Sequence, residues 1–166
     1  MKRTRLLLAA GLLCCGVFAG TGLPDFAGTW KLDVGKSEPR GDQADRVYIS
    51  VIEQKGPTFK ITTKAEGVVN DIFDGTFQAD GKLRIQHVAS GLYRYTKVAW
   101  GSGTLVFEIT DKDSKKDTAK TSLYVRESWS LSPDGKVLTK FRRTAAAPAA
   151  GQRAKIIDQK YVFARQ

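Results

Sequence analysis

From Gly28 to the C-terminus, apolar and polar residues alternate in short runs, and helical periodicity is hard to find past residue 30. Runs of period two rich in Val, Ile, Thr, Tyr and Phe read as strands, each with one face toward a core. They predict strands near Gly28–Leu32, Val47–Gln54, Phe59–Ala65, Val69–Phe73, Thr76–Gln78, Leu83–Val88, Leu92–Trp100, Thr104–Thr110, Thr121–Leu131, Val137–Thr144 and Lys155–Ala164. Gly56-Pro57, Asp74-Gly75, Asp80-Gly81, Gly101-Ser102-Gly103 and Asp134-Gly135 punctuate them, and Asp-Gly supplies the positive φ that tight hairpins require. Links this short join antiparallel neighbours, since a parallel crossover needs a dozen or more residues. The expectation is an all-β, antiparallel up-and-down barrel of about 8–10 strands with little helix, because closing a meander removes its exposed edges. A β-sandwich is the rival, but it normally needs longer connections between sheets. Two longer polar links, Gly35–Arg46 and Ala145–Gln152, read as rims without chemistry, and Pro148 keeps the alanine-rich one from forming a helix.

The first residues follow another pattern. Lys2, Arg3 and Arg5 precede an uncharged apolar run, Leu6–Phe18, and Val17-Phe18-Ala19 offers a cleavage site. This is the layout of a secretory signal. A membrane anchor is the alternative, but the run is shorter than the roughly 20 residues a spanning helix needs. The expected organisation is a signal peptide over 1–19 and one domain over 20–166, exported to the periplasm or secreted, with no transmembrane span after cleavage. Both cysteines, Cys14 and Cys15, lie in the signal, so a lipid-anchored form through one of them is a variant reading, and the mature chain carries no thiol.

Charge narrows the partners a little. The formal net charge of +10 falls to +7 when Lys2, Arg3 and Arg5 leave with the signal. A basic surface favours an anionic envelope component or a carboxylate ligand. Nucleic acid is not expected, because the cations are scattered rather than gathered on one face with stacking aromatics.

Phe26-Ala27-Gly28-Thr29-Trp30 resembles the start of the lipocalins, whose Gly-x-Trp closes one end of a barrel that opens to an apolar ligand at the other. The resemblance implies structural roles for Gly28 and Trp30. The second lipocalin signature has only an echo in Thr110-Asp111-Lys112. Across most of the mature chain the sequence resembles exported bacterial lipocalin-like β-barrel proteins. Phe26–Asp33 with Lys36-Ser37, Glu53–Thr58, Glu127–Ser132 and Asp134–Thr139 carry that likeness. It implies barrel, export and ligand binding, and transfers no catalytic residue.

Strand parity then selects interior candidates. Leu123, Val125, Glu127, Trp129 and Leu131 share a face, as do Leu92, Arg94, Thr96, Val98 and Trp100, and Leu83, Ile85 and His87. His87, Arg94, Trp100, Glu127 and Trp129 are therefore the expected interior ligand-binding set. A buried Arg and Glu must pair with each other or with a ligand, and an interior Arg could grip a carboxylate. Catalytic and metal residues are not expected, and no cofactor is implied. One His, no mature Cys and no Gly-x-Ser-x-Gly elbow leave a nucleophilic triad without parts. Asp111, Asp113 and Asp117 fail as a calcium loop because Lys116 stands where such a loop needs glycine. The leading reading is a small exported barrel binding a small lipophilic or amphipathic molecule in its cavity. The alternative is a non-enzymatic envelope protein acting through its basic outer surface, and an enzyme ranks behind both.

Overall fold

The computed structural model describes residues 23–38, 46–89, 91–116, 121–148 and 153–166. The expected signal, both cysteines, Asp117 and parts of the two long links lie outside them. The ten strands are β1 (Gly28–Leu32), β2 (Tyr48–Lys55), β3 (Thr58–Ala65), β4 (Phe73–Gln78), β5 (Leu83–Ala89), β6 (Leu92–Trp100), β7 (Leu105–Lys112), β8 (Thr121–Leu131), β9 (Val137–Ala146) and β10 (Lys155–Arg165). Every pairing is antiparallel between chain neighbours, and β1 also pairs with β10. A single 3-10 turn, Val34–Lys36, follows β1. No helix among the described residues is long and apolar enough to cross a membrane.

Glycines at the hairpins explain the tight links: Gly56, Gly103 and Gly135 all take positive φ, which costs a side-chain-bearing residue dearly. Gly81 takes it too, but its link joins β4 to β5, which among the described residues do not pair as the short connection predicts. Asp74-Gly75 departs from expectation. Gly75 sits inside β4 opposite Ile61, under the stacked rings of Phe73 and Phe77, whose centroids lie 5.9 Å apart. An added Cβ would come within 2.8 Å of Phe73, so this glycine makes room for a ring stack rather than a turn. The strand expected over Val69–Phe73 is also absent: β4 begins at Phe73, and Val69 is 93% exposed. Ala145 and Ala146, expected in a loop, complete β9.

The sheet order β4-β3-β2-β1-β10-β9-β8-β7-β6-β5 brings the chain's first and last strands together at the centre and leaves β4 and β5 at the two edges. The sheet curls until those edges approach. Phe77 of β4 meets Phe107 of β7 edge to face at 5.3 Å, and Gly81 donates its N–H to the Val98 carbonyl at 2.9 Å. No ladder joins β4 to β5 among the described residues, so a seam remains. On β5, Arg84 binds Asp80 through hydrogen bonds of 2.9 and 2.8 Å, and a charged residue on an edge strand discourages further pairing.

One end is plugged. Phe26, fully buried, packs against Phe59, Trp100 and Trp129. Its carbonyl accepts from Trp30 Nε1 at 2.9 Å, and its N–H donates to Gln54 Oε1 at 2.8 Å. Arg165 lies 4.6 Å over the Trp30 ring. The segment before β1 thus closes the barrel, and the apolar core fills that end.

Candidate functional site

Cross-strand partners share a face, so the inner wall can be traced from the plug upward. On β8 it carries Val125, Glu127 and Trp129. Register carries it to Ile109, Phe107 and Leu105 on β7, and to Thr144, Arg142 and Lys140 on β9. From there it reaches Gln159, Tyr161 and Phe163 on β10 through partners Arg142, Lys140 and Leu138. Above the plug this wall encloses a cavity of about 320 Å³, at the small end of the range for ligand pockets. Ile61, Phe77, Phe107, Ile109, Val125 and Phe163 give it apolar sides.

Its polar groups cluster on β8, β9 and β10. Glu127 accepts from Arg142 Nε and from Trp129 Nε1, both at 2.5 Å, so the carboxylate is satisfied on both oxygens. Lys140, only 7% exposed, rests its ammonium 3.9 Å above the Trp129 ring and 4.7 Å from that of Phe163. These are favourable cation–π contacts. No carboxylate lies within ion-pair distance of Lys140 among the described residues. The Tyr161 hydroxyl also lines the cavity and is buried without a hydrogen-bond partner there. Across the cavity the Ser50 and Thr63 hydroxyls share a hydrogen bond of 2.9 Å.

Burial pulls the Lys140 amine down from 10.5 to about 8; Glu127 opposes that shift and Arg142 adds to it. Burial pushes the Tyr161 phenol up, Arg142 working against it. The lysine shift has a consequence for stability. The unfolded chain holds more protons at this site between about pH 8 and 10.5, so folding stability rises with pH across that window. Subtracting the profile of Lys140→Met from that of the unaltered protein should isolate a gain on the order of 3 kcal/mol. Chemical denaturation at pH 7.5, 9 and 10.5 measures it; a flat or falling difference would mean the amine is solvated.

Of the five residues expected inside, Glu127 and Trp129 line the cavity. Trp100 faces inward but belongs to the plug, stacked 5.9 Å from Phe26. Arg94 also faces inward, but Glu127 is not its partner. Its Nε and Nη2 donate to Asp111 at 2.8 and 2.9 Å, and the bidentate bond to Asp111 keeps its guanidinium charged against the cost of burial. His87 is misplaced by the parity argument. Gln86 pairs with inward Arg94 and His87 with Tyr93, so Leu83, Ile85 and His87 point outward, and His87 lies exposed beside the Tyr93 ring at 5.0 Å. The physical reason is the seam: all of β5 is exposed, so burial does not drive its apolar row to the core.

The parity argument passed over Lys140, Arg142 and Tyr161. On β9 the row holding Phe141 looks the more apolar, yet Phe141 is outside and 52% exposed. The usable signal was the register: Glu127 faces inward, and its partner across the ladder must follow.

No protein-family model and no curated protein matches the chain. Solved structures do. Secretory abundant heat soluble protein 4 from Ramazzottius varieornatus aligns at 13% identity over 88% of this chain and 97% of its own, with a TM-score of 0.56. Lipid binding protein 8 of Caenorhabditis elegans aligns at 12% identity over 85% and 95%, with a TM-score of 0.53. Fatty-acid-binding protein 1 of Echinococcus granulosus aligns at 11% over 84% and 96%, with a TM-score of 0.52. At these identities the likeness is one of fold. The chain shares the antiparallel barrel fold of these proteins.

Proposed function

We propose that this protein is an exported carrier that holds a small amphipathic molecule in its cavity, with an apolar body among the phenylalanines and an anionic head at β9 and β10. One observation carries the reading: the cavity wall holds an excess of positive charge. Among the described residues, Lys140 and Arg142 face a single carboxylate, Glu127, and the Tyr161 hydroxyl beside them lacks a partner. A ligand carboxylate or phosphate would supply the missing charge and accept the free hydroxyl donor, and such charge-assisted bonds are the strong ones. The neighbours of like fold named for lipid and fatty-acid binding support the apolar half of the reading. The basic and apolar pattern over residues 1–19 supports export.

Val125 offers a direct test because it lines the cavity and stands clear of the polar cluster's hydrogen bonds. Val125→Arg should fill the cavity and abolish displacement of a bound fluorescent fatty acid, while far-ultraviolet circular dichroism stays that of a β-sheet. Binding that survives this change but vanishes at high salt would place the ligand on the outer surface instead.

A further inference from the structure

Lys140 has a property that anion binding does not use. It is a primary amine on the wall of an apolar cavity, enclosed by aromatic rings and free of any ion pair among the described residues. We propose that Lys140 captures apolar aldehydes, condensing with them inside the cavity as a Schiff base. The inference rests on the reading that the cavity admits a small apolar molecule.

The step balances without a further reactant. The neutral Nζ attacks the carbonyl carbon, the carbonyl oxygen leaves as water, and the imine keeps one proton. One ammonium and one aldehyde thus become one iminium and one water, and the charge of the site is unchanged. The aromatic faces that now hold the ammonium, Trp129 at 3.9 Å and Phe163 at 4.7 Å, would hold the iminium equally well. Glu127 on β8 supplies the neighbouring negative charge, and Arg142 on β9, with Tyr161 on β10 and Tyr48 on β2, completes the titratable groups that line the cavity with it. An apolar enclosure also keeps water from hydrolysing the product.

Burial makes the amine reactive. With its value near 8, roughly half of Lys140 is neutral at pH 8, against under about 1% of an ordinary lysine near 10.4. Lysines desolvated in apolar pockets are nucleophiles for this reason. An aldehyde also differs from an acid in what it requires. It needs the neutral amine and an apolar channel, whereas the acid is drawn by the charge of Lys140 and Arg142 together and by the Tyr161 phenol.

The test uses the purified full chain, decanal at pH 8, reduction with cyanoborohydride, and peptide mapping by mass spectrometry. The expected result is a single decyl group on the peptide carrying Lys140, at an aldehyde concentration about tenfold below that needed for any other lysine. That fold-difference should disappear at pH 6, and excess decanoate should protect the site. Lys140→Arg, which keeps the charge but cannot condense in this way, should lose the selective labelling, and Lys140→Met serves if the arginine fits poorly. Decyl groups spread over surface lysines with Lys140 unmodified, while decanoate still displaces a fluorescent fatty acid, would overturn the inference alone. Failure of decanoate as well would overturn the cavity reading and this inference with it.

Discussion

Arg142→Leu should lower stability by about 2–3 kcal/mol and weaken binding of an anionic ligand to that of its neutral counterpart. Glu127 is buried, and Arg142 is its ion-pair partner; removing one member of such a pair leaves an uncompensated charge. The loss falls below the usual range for buried pairs because the Arg142 side chain is 42% exposed, and Trp129 Nε1 still donates to the carboxylate. Changing Glu127→Gln in the same protein should recover much of the stability. Urea unfolding of the single and double variants reads the first effect, and a titration with ligand reads the second. If the double variant is no more stable than Arg142→Leu alone, the two side chains are not energetically coupled.

Phe26→Ala should cost more, about 3–5 kcal/mol, although Phe26 precedes the first strand. Its ring touches Phe59, Trp100 and Trp129, and its backbone is tied to Trp30 and Gln54. Truncation therefore opens a cavity where strands from both halves of the sheet meet. Phe141→Ala is the matched control. Phe141 lies outside and half exposed, and its loss should cost under about 1 kcal/mol. Equal effects would mean that the plug does not close the barrel.

These two phenylalanines also mark where reading the sequence succeeds and where it fails. The meander was legible because alternation and turn chemistry agree on nine of the ten strands, and Gly28–Leu32, Leu92–Trp100 and Thr121–Leu131 match residue for residue. The turn chemistry misled at Asp74-Gly75, where a stack of two rings uses the small residue for space. On β8 the apolar row is the buried row, so Glu127 and Trp129 could be placed. On β5 and β9 the more polar row faces in. At β5 this follows from an edge strand that has no ladder partner across the seam among the described residues. At β9 it follows from Lys140 and Arg142 standing at the polar end of the cavity, where local hydrophobic pattern and buried position disagree. Such disagreements are expected at functional sites. Partner choice was equally invisible, because Arg94 and Glu127 face the same interior but each is matched by a residue across its own ladder, Asp111 and Arg142.

The most direct test of the account compares decanoate with decanol in the unaltered protein and in Arg142→Leu. Both ligands have the same apolar body, and only the acid can use the excess charge at Lys140 and Arg142. The account predicts that decanoate binds at least about tenfold more tightly than decanol, a difference of roughly 1.4 kcal/mol, and that Arg142→Leu erases this preference while the alcohol still binds. Equal affinities for acid and alcohol in the unaltered protein, or a preference that survives the loss of Arg142, would contradict it.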